Sequence, residues 1–385
     1  MERRVWRLGV AVMAGLLALT ASPVPGAAHA AQASKAGTLL SYAKVTASSF
    51  AMPGSSAVYS LTYLSRGATG TTPVRATAWL PSGEAPKSGH PVASLGHGTQ
   101  GVGRSCTLAR TLRSDGESFR PYYGPWLRQG FALVATEYAG LGESGAHPYL
   151  NVKAAGANMI DAVRALRQLG SRIGVRIDSR YATSGGSQGG HASLSAGTMA
   201  ASYAPELRLL GTTAVAPPVH IDRYLSLLGP AVPPIPVPDY VTYLMYVLRG
   251  ISVSRPDLDV ARYLTPTGRR LQREVSSYCY REMNTRTQGL SVGSVLAAPL
   301  AQGPLMAAIR EAQVVPTTGL RRPVLIHQGM ADVTAFGPLT ELYVAQVRAA
   351  GTVVDYHRSL DGHVIGAEAQ EQSARWAHRL WLESR

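Results

Sequence analysis

Residues 185–189 read Gly-Gly-Ser-Gln-Gly, which places Ser187 at the centre of a G-x-S-x-G pattern. The β-forming residues before this pattern predict a strand, and the small residues after it predict a helix. A serine in a sharp strand-to-helix turn has its hydroxyl exposed at the end of the strand, where it can act as a nucleophile. Such a turn needs flanking residues without a bulky Cβ, and glycine meets that need. An ordinary glycine-rich turn shares the same letters, so the interpretation rests on the strand–turn–helix context.

A serine hydroxyl is a weak nucleophile unless a base accepts its proton and an acid orients that base. After a serine placed in this way, the acid and the base come later in the chain, Asp or Glu first and then His. Asp332 follows a predicted strand at residues 323–327, and His363 follows the next one at residues 353–358. We therefore expect Ser187, Asp332 and His363 to meet at one edge of a sheet as a catalytic triad.

Two other side chains compete for these roles. His357 is an alternative base, but it lies within its strand, where a packed or solvated histidine is the simpler interpretation. Asp361 is an alternative acid, but Asp332 comes from the penultimate predicted strand and is preferred for that reason. The base is therefore assigned to His363 and the acid to Asp332.

Attack on a carbonyl creates an oxyanion, which backbone N–H groups stabilise. One donor is expected at Gln188, the residue after the nucleophile, and the other in the loop after the strand at residues 91–96. That loop reads His-Gly-Thr-Gln-Gly from residue 97, and it leaves Thr99 and Gln100 as open alternatives. His97 is interpreted as a structural residue of this loop.

A second glycine-rich loop, at residues 137–142, follows the next predicted strand. Its Tyr138 either lines the pocket or packs within the fold, and the sequence does not distinguish these two roles.

Strands and helices alternate along most of the chain, which predicts a mostly parallel sheet flanked by helices. A hairpin is predicted from residues 58–65 and 74–80, after a loose leader at residues 31–50. Apolar residues at helical spacing predict a helix over residues 154–169, ending at Gly170. The other predicted elements are strands at residues 91–96, 131–137, 180–184, 210–216, 323–327 and 353–358, and helices beginning at residue 125 and at residues 188–201, 339–350 and 367–382.

The alternation stops between residues 217 and 318, where no run of β-forming residues is found. We therefore predict an α/β frame at residues 31–216 and 319–385, into which residues 217–318 are inserted as a helical cap or lid. A proline-rich connector lies within the insertion at residues 229–238. The helices predicted in the insertion cover residues 221–228, 240–248, 268–282 and 304–313.

The first thirty residues have the composition of a secretory signal peptide. Arg3, Arg4 and Arg7 give a basic start, an apolar run covers residues 8–21, and residues 28–30 form a small-x-small cleavage site. The run is shorter than the ~20 residues that span a membrane, which argues against an anchor. Residues 1–30 are thus predicted to direct secretion to the extracellular space, by a general or a twin-arginine route.

The chain carries a net charge of +14, and a charge this basic raises the question of nucleic-acid binding. Its arginines are scattered, however, without a basic stripe interleaved with aromatic residues, so no nucleic-acid partner is expected. No Cys and His cluster has the spacing of a zinc site, and neither a metal nor another cofactor is expected.

The chain has two cysteines, Cys106 and Cys279, and these allow only one disulfide. An oxidising compartment would favour that bridge, and two separate thiols are the alternative.

The motif segments described above together resemble the secretory lipase family of α/β-hydrolases, which includes the yeast lipase A type. The resemblance spans most of residues 40–383 and implies an α/β-hydrolase fold with a helical lid. It also implies hydrolysis of carboxylic esters, including acylglycerols. The segments that carry it are residues 97–101, Cys106, residues 137–142 and 185–190, Asp332 and residues 361–363.

The same resemblance implies a disulfide between the oxyanion region and the cap, which fits a bridge from Cys106 to Cys279. Two positions depart from the expected pattern, with Gln100 in place of Thr and Glu137 in place of Asp. Neither departure touches the triad.

The sequence thus predicts a secreted lipase or esterase that cleaves small-molecule or lipid esters through an acyl-enzyme on Ser187. Transient contact with a lipid interface is expected, whereas an integral membrane segment in the mature chain is not. Two rival hypotheses stay open. The triad is able to act on another acyl bond, as in a peptidase, a polyester hydrolase or an acyltransferase, or the frame belongs to a non-catalytic binding protein.

Overall fold

A single mixed β-sheet organises the computed structural model, which describes residues 35–234, 237, 239–363 and 366–384. The predicted signal peptide, residues 1–30, lies outside the described residues. The nine strands of the sheet are β1 (Leu39–Lys44), β2 (Ser55–Arg66), β3 (Thr71–Pro81), β4 (His90–Gly96), β5 (Ala132–Thr136), β6 (Ile177–Gly185), β7 (Arg208–Val215), β8 (Val324–Gly329) and β9 (Val354–Ser359).

The strand order across the sheet is β1-β2-β3-β5-β4-β6-β7-β8-β9. The pairs from β1 to β3, and the pair of β3 with β5, are antiparallel, which confirms the predicted hairpin as β2 and β3. All pairs from β5 to β9 are parallel. The loops that follow β4, β6, β8 and β9 therefore meet at one edge of the sheet, where the predicted site residues lie.

Twelve α-helices surround or extend this sheet within the described part of the chain, and none of them is long and apolar enough to cross a bilayer. The helices are α1 (Leu108–Asp115), α2 (Arg120–Arg128), α3 (Val152–Ile173), α4 (Gln188–Tyr203), α5 (Ile221–Leu225), α6 (Tyr240–Ser254), α7 (Pro266–Glu274), α8 (Tyr280–Thr287), α9 (Val292–Val295), α10 (Leu305–Gln313), α11 (Gly337–Ala349) and α12 (Ala367–Glu383).

Strands β4 and β5 are buried along their whole length, as expected where helices cover both faces of a parallel sheet. Helix α3 packs on one face with α4, and its Met159, Val163 and Leu166 are fully buried there. Helices α2 and α12 pack together on the other face and bury Trp126 and Trp376. Burial of each such side chain stabilises the fold by ~1.5–3 kcal/mol, so the two layers of helices hold the sheet between them.

Helices α5 to α10 lie between β7 and β8, where no named strand is found in the described residues. They share a hydrophobic core of their own, which includes Leu244, Met245, Leu248 and Ile309. Tyr149, from the loop before α3, belongs to the same cluster. We propose that residues 217–318 form a cap on the α/β frame, because this separate core gives them their own packing.

The loose leader predicted at residues 31–50 is wrong for its described part, which is ordered. Strand β1 pairs with β2, and a 3-10 turn at Ser48–Phe50 buries the ring of Phe50. The indole of Trp79 donates to the carbonyl of Phe50 at 2.7 Å. Only Leu39 is buried along β1. An edge strand with so little burial does not need alternating apolar and polar residues, so its sequence carries no strand signal.

Several helices differ from the predictions. Helix α1 was not predicted, α2 begins at Arg120 and not at residue 125, and α6 continues to Ser254, past its predicted end at residue 248. The helix predicted at residues 268–282 is two helices, α7 and α8, because Cys279 begins the second one. The Glu282 carboxylate accepts the N–H of Cys279 at 2.9 Å and fixes this new start. Helix α3 continues past Gly170 to a left-handed Gly174, with φ of 74°, and the four-residue α9 was not predicted.

Four buried histidines make stability depend on pH. Burial lowers the pKa of His97, His147, His191 and His327 to about 4, from 6.5 in an exposed chain. The unfolded chain therefore takes up these protons below pH 6.5, whereas the folded chain takes them up only near pH 4. Burial raises the pKa of Glu137 to about 7 and also raises the pKa of Asp161, and these two shifts have the opposite effect. The histidines outnumber the two carboxyl groups, since burial lowers the pKa of His90 and His220 as well.

We expect the free energy of unfolding to fall as the pH drops from about 6.5 to 4. The His191→Gln variant keeps a donor toward the Gln313 carbonyl and removes one titrating group. Over the same pH range, its free energy of unfolding should therefore fall by about 2 kcal/mol less than that of the wild type. Urea unfolding at a series of pH values measures both curves. A urea midpoint that stays constant between pH 6.5 and 4 would contradict this account.

Candidate active site

Ser187 lies in the turn between β6 and α4 with a strained backbone, φ of 53° and ψ of −120°. Its N–H donates to the carbonyl of Val215 at 2.9 Å, which ties the turn to β7. The turn is tight, because a Cβ added to Gly189 would lie 1.9 Å from the carbonyl oxygen of Gly96. One added to Gly185 would lie 2.4 Å from the carbonyl carbon of Gly189. Strain of this kind costs ~1–3 kcal/mol and persists only where the surroundings hold it.

Ser187, His363 and Asp332 form a continuous chain of hydrogen bonds. The Ser187 hydroxyl lies 2.9 Å from Nε2 of His363, and Nδ1 of His363 lies 2.8 Å from Oδ2 of Asp332. Because the Asp332 carboxylate accepts, Nδ1 donates and Nε2 is left to accept from the serine. The loops after β6, β8 and β9 thus bring the three residues of the predicted triad together.

The Asp332 carboxylate is buried and is held by its own loop. Its Oδ1 accepts the N–H groups of Thr334 and Ala335, both at 2.8 Å, and its Oδ2 accepts the side-chain amide of Gln328 at 3.3 Å. The Gln328 carbonyl oxygen in turn accepts the hydroxyl of Thr340 at 2.9 Å. A buried charge needs such donors, and here they also aim the free face of the carboxylate at the histidine.

The two competing residues stand apart from this chain. His357 lies on β9 with an exposed side chain, and its Nε2 is 3.0 Å from a carboxylate oxygen of Asp355. Asp361 is exposed as well, and the two ring nitrogens of His363 bond to Asp332 and Ser187 and not to the Asp361 carboxylate. The geometry therefore favours His363 and Asp332 over both alternatives.

The backbone groups proposed to bind an oxyanion surround the serine. Gln188 is the first residue of α4, so its N–H has no partner within the helix. Thr99 and Gln100 line the same cavity as Ser187. Within the part of the chain that the structure describes, none of these three N–H groups donates to a protein acceptor. Thr99 and Gln100 both stay candidates for the second donor.

The loop after β4 is supported from below by buried polar groups. His97 donates from Nδ1 to the carbonyl of Gly98 at 2.7 Å, and its ring packs 4.7 Å from the ring of Tyr138. The Tyr138 hydroxyl donates to the carbonyl of His97 at 3.1 Å, so Tyr138 packs beneath the loop and is not part of the cavity wall. Glu137 accepts two backbone N–H groups at the start of α1 and completes this support.

A cavity of about 590 Å³ contains the hydroxyl of Ser187 and the ring of His363. Its wall carries aromatic side chains from the frame and from the cap. The aromatic wall residues of the frame and Tyr280 of the cap were not identified from the sequence, although residues 119–123 read Phe-Arg-Pro-Tyr-Tyr and form a visible aromatic cluster. The aromatic residues of the wall are Phe119, Tyr122, Tyr123, Tyr243 and Tyr280.

The cap side of the cavity carries a chain of hydroxyl groups. Tyr243 donates to the hydroxyl of Tyr280 at 3.1 Å, and Tyr280 donates to the carboxylate of Asp239. The wall therefore combines apolar ring faces with a polar edge, and it can hold an apolar chain next to a hydrogen-bonding group.

Comparison with known proteins places the chain in a family. A family model described as secretory lipase matches residues 122–384, which is more than half of the chain. The chain belongs to the secretory lipase family. A curated member of similar sequence, lipase A from Moesziomyces aphidis, is 27% identical over 135 residues. That alignment covers 34% of this chain and 26% of the relative, so it spans only about a quarter of the relative's length.

Solved structures extend the likeness of this secretory-lipase chain to most of its length. Candida antarctica lipase A in its closed state is 19% identical with a TM-score of 0.69, and the match covers 86% of this chain and 78% of that one. The rice cell wall degrading esterase LipA from Xanthomonas oryzae is 20% identical with a TM-score of 0.71, covering 91% and 96%. At such identities the likeness shows the fold, and it confirms the expected α/β-hydrolase architecture.

A disulfide joins Cys106 to Cys279 and so connects the segment after β4 to the start of α8 in this secretory-lipase chain. Next to it, Gly101 forms a β-bridge with Cys279, and the carbonyl of Gln100 accepts the N–H of Tyr280 at 2.9 Å. These three connections hold the proposed oxyanion loop against the cap.

The tight turn predicts different outcomes for two glycines of one motif. We expect Gly189→Ala to lower the free energy of unfolding by about 3 kcal/mol or more, because its Cβ would meet the backbone of Gly96. The matched variant is Gly186→Ala, whose Cβ would meet only the carbonyl of Val215 at 3.9 Å, an ordinary contact. The free energy of unfolding of Gly186→Ala should lie within about 1 kcal/mol of the wild-type value. Equal urea midpoints for the two variants would contradict this description of the turn.

Proposed function

We propose that this protein is a carboxylic ester hydrolase that forms an acyl-enzyme on Ser187. The observation that carries the proposal is the unbroken chain of hydrogen bonds from Ser187 through His363 to Asp332, which opens into the cavity. Membership in the secretory lipase family supports the same chemistry.

The reaction begins when the Ser187 oxygen attacks the ester carbonyl while its proton passes to Nε2 of His363. The carbonyl electron pair becomes an oxyanion, which the N–H of Gln188 and that of Thr99 or Gln100 stabilise. When the oxyanion collapses, the bond to the alkoxy oxygen breaks and the histidine gives its proton to the leaving alcohol. Water then attacks the acyl-enzyme with the histidine again as base, and the acid is released.

Asp332 acts in this scheme by orientation and charge. Its hydrogen bond to Nδ1 holds the tautomer in which Nε2 accepts the serine proton, and its negative charge stabilises the imidazolium that then forms. Because the carboxylate also accepts from Thr334 and Ala335, it does not have to reorganise during the reaction.

Lipid esters, acylglycerols among them, are the substrates that we propose. The aromatic wall of the cavity suits an apolar acyl chain, since pockets for such ligands are lined mainly by apolar and aromatic side chains. The curated relative is named as a lipase, which supports the same substrate class. Binding would bring the protein into transient contact with a lipid interface.

Secretion to the extracellular space is part of this proposal. The family is described as secretory, and the bridge between Cys106 and Cys279 is of a kind that persists in oxidising compartments. The signal peptide expected in residues 1–30 would provide the export step.

We expect Ser187→Ala to lower kcat/KM on p-nitrophenyl butyrate by about 10⁴-fold or more, because the nucleophile is removed. Asp332→Asn should lower it by about 10³- to 10⁴-fold, since the histidine then loses its oriented tautomer. Asp361→Asn is the matched control and should stay within about twofold of the wild type, because its exposed side chain lies outside the chain of hydrogen bonds. Full activity in Ser187→Ala, or an equal loss in both aspartate variants, would exclude this triad.

Substrate class is measured by rates on p-nitrophenyl esters of increasing chain length, on an emulsified triglyceride, on a polyester film and on a peptide anilide. We expect turnover of the triglyceride and of medium or long acyl esters. Faster turnover of the anilide or the polyester would instead assign the triad to another acyl bond. Failure of a fluorophosphonate probe to label Ser187 would leave only a binding protein.

A further inference from the structure

The loop between β5 and α3, residues 137–151, touches the segments on both sides of the proposed oxyanion site. The reaction scheme above assigns it no part. Its residues His147 and Tyr149 are both buried, and neither lines the cavity that holds Ser187. Any effect they have on the reaction must therefore pass through their neighbours.

His147 holds the residue that follows the nucleophile. Its Nδ1 lies 2.9 Å from the carbonyl oxygen of Ala139, which can only accept, so Nδ1 carries the proton. Its Nε2 then accepts from the side-chain amide of Gln188 at 3.0 Å. Burial lowers the pKa of His147 to about 4, which keeps the ring in this neutral form in ordinary buffers. The side chain of Gln188, the first residue of α4, is thereby tied to the loop.

Tyr149 contacts the loop after β4, on the other side of the proposed oxyanion site. Its hydroxyl lies 2.7 Å from the hydroxyl of Thr99, in the loop after β4. The Tyr149 carbonyl also accepts the side-chain amide of Gln313, at the end of the cap helix α10, at 2.9 Å. Tyr149 is therefore fixed through its backbone carbonyl. Its hydroxyl is directed at Thr99, one of the two candidates for the second oxyanion donor.

The backbone of the loop is itself held in one shape. Tyr138 and Leu150, near its two ends, both have left-handed backbones, with φ of 62° and 57°. The N–H of Ala139 donates to the side chain of Asn158 on α3 at 2.9 Å. The Tyr138 hydroxyl donates to the carbonyl of His97. The separation of His147 from Tyr149 is thus set by a rigid segment that also supports the neighbouring loop.

We propose that His147 and Tyr149 are positioning residues of the oxyanion site. His147 acts through Gln188 and Tyr149 acts through Thr99, so that one rigid loop aligns the donors from β4 and from α4 with each other. The inference rests on the proposed acyl transfer at Ser187. A loose oxyanion site weakens binding of the transition state more than binding of the ester, so these residues affect kcat and leave KM nearly unchanged.

The first test removes single hydroxyl groups with Tyr149→Phe and Thr99→Val, alone and together. We expect each single variant to lower kcat on p-nitrophenyl butyrate about tenfold with KM within about twofold, because small displacements of reacting groups reduce rates strongly. Binding of a trifluoromethyl ketone with the same alkyl chain, which forms an oxyanion on the serine, should weaken by the same factor. The kcat of the double variant should be no lower than that of the slower single variant, since both substitutions remove the same hydrogen bond.

The second test acts on the other side of the site. His147→Phe keeps an aromatic ring and removes both hydrogen bonds, and we expect it to lower kcat about ten- to hundredfold. His147→Gln restores an acceptor that can reach Gln188, and it should recover part of that loss. The Tyr149→Phe test remains decisive if His147→Phe does not fold.

Tyr246→Phe is the matched control. Tyr246 is a buried tyrosine of the cap whose ring lies 5.7 Å from that of Tyr149, and its hydroxyl has no hydrogen-bond partner within the described residues. Its kcat and its ketone inhibition should equal those of the wild type. Thermal melting of every variant shows whether the active fraction is folded.

The inference is overturned if Tyr149→Phe keeps the wild-type kcat and ketone inhibition. It is also overturned if kcat falls only in proportion to the folded fraction while ketone inhibition is unchanged. A wild-type protein that neither hydrolyses the ester nor reacts with a fluorophosphonate at Ser187 would instead disprove the proposed function, and the inference with it.

Discussion

Helix α4 approaches strand β4 so closely that only glycine fits at their contact. The carbonyl oxygen of Gly96 would lie 1.9 Å from any Cβ on Gly189, and Gly185 is enclosed in the same way. This contact brings the start of α4 next to the loop that follows β4, and it forces Ser187 into a backbone conformation that non-glycine residues rarely adopt. Ser187 and the oxyanion candidates of both segments therefore have fixed relative positions before any substrate binds.

Buried polar groups maintain this arrangement, and each one has a cost in desolvation that its partners offset. Asp332 accepts from three donors of its own loop and strand besides His363, and Glu137 accepts two N–H groups at the start of α1. His97 and His147 stay neutral because burial lowers the pKa of both to about 4. A buried polar network of this kind favours a single geometry for the site, although apolar packing would be less sensitive to pH.

The sequence was informative where a residue's role depends on its neighbours along the chain. Ser187 could be proposed as a nucleophile because strand, turn and helix follow one another within a few residues, and His363 could be proposed as its base because it follows a strand. The break before Cys279 could not be found, since it depends on contacts with residues far away in sequence. The same holds for His147 and Tyr149, which meet Gln188 and Thr99 only after folding.

The order of the strands in the chain has a consequence for the timing of activity during synthesis. Ser187 precedes His363 by 176 residues, and the loops after β8 and β9, at the far edge of the sheet, carry the proposed acid and base. A nascent chain that has not yet delivered its last strands carries the serine with neither base nor acid, so its hydroxyl is unactivated. Under the proposed mechanism, ester cleavage therefore cannot begin until β8, β9 and the loops that follow them have packed against the rest of the sheet.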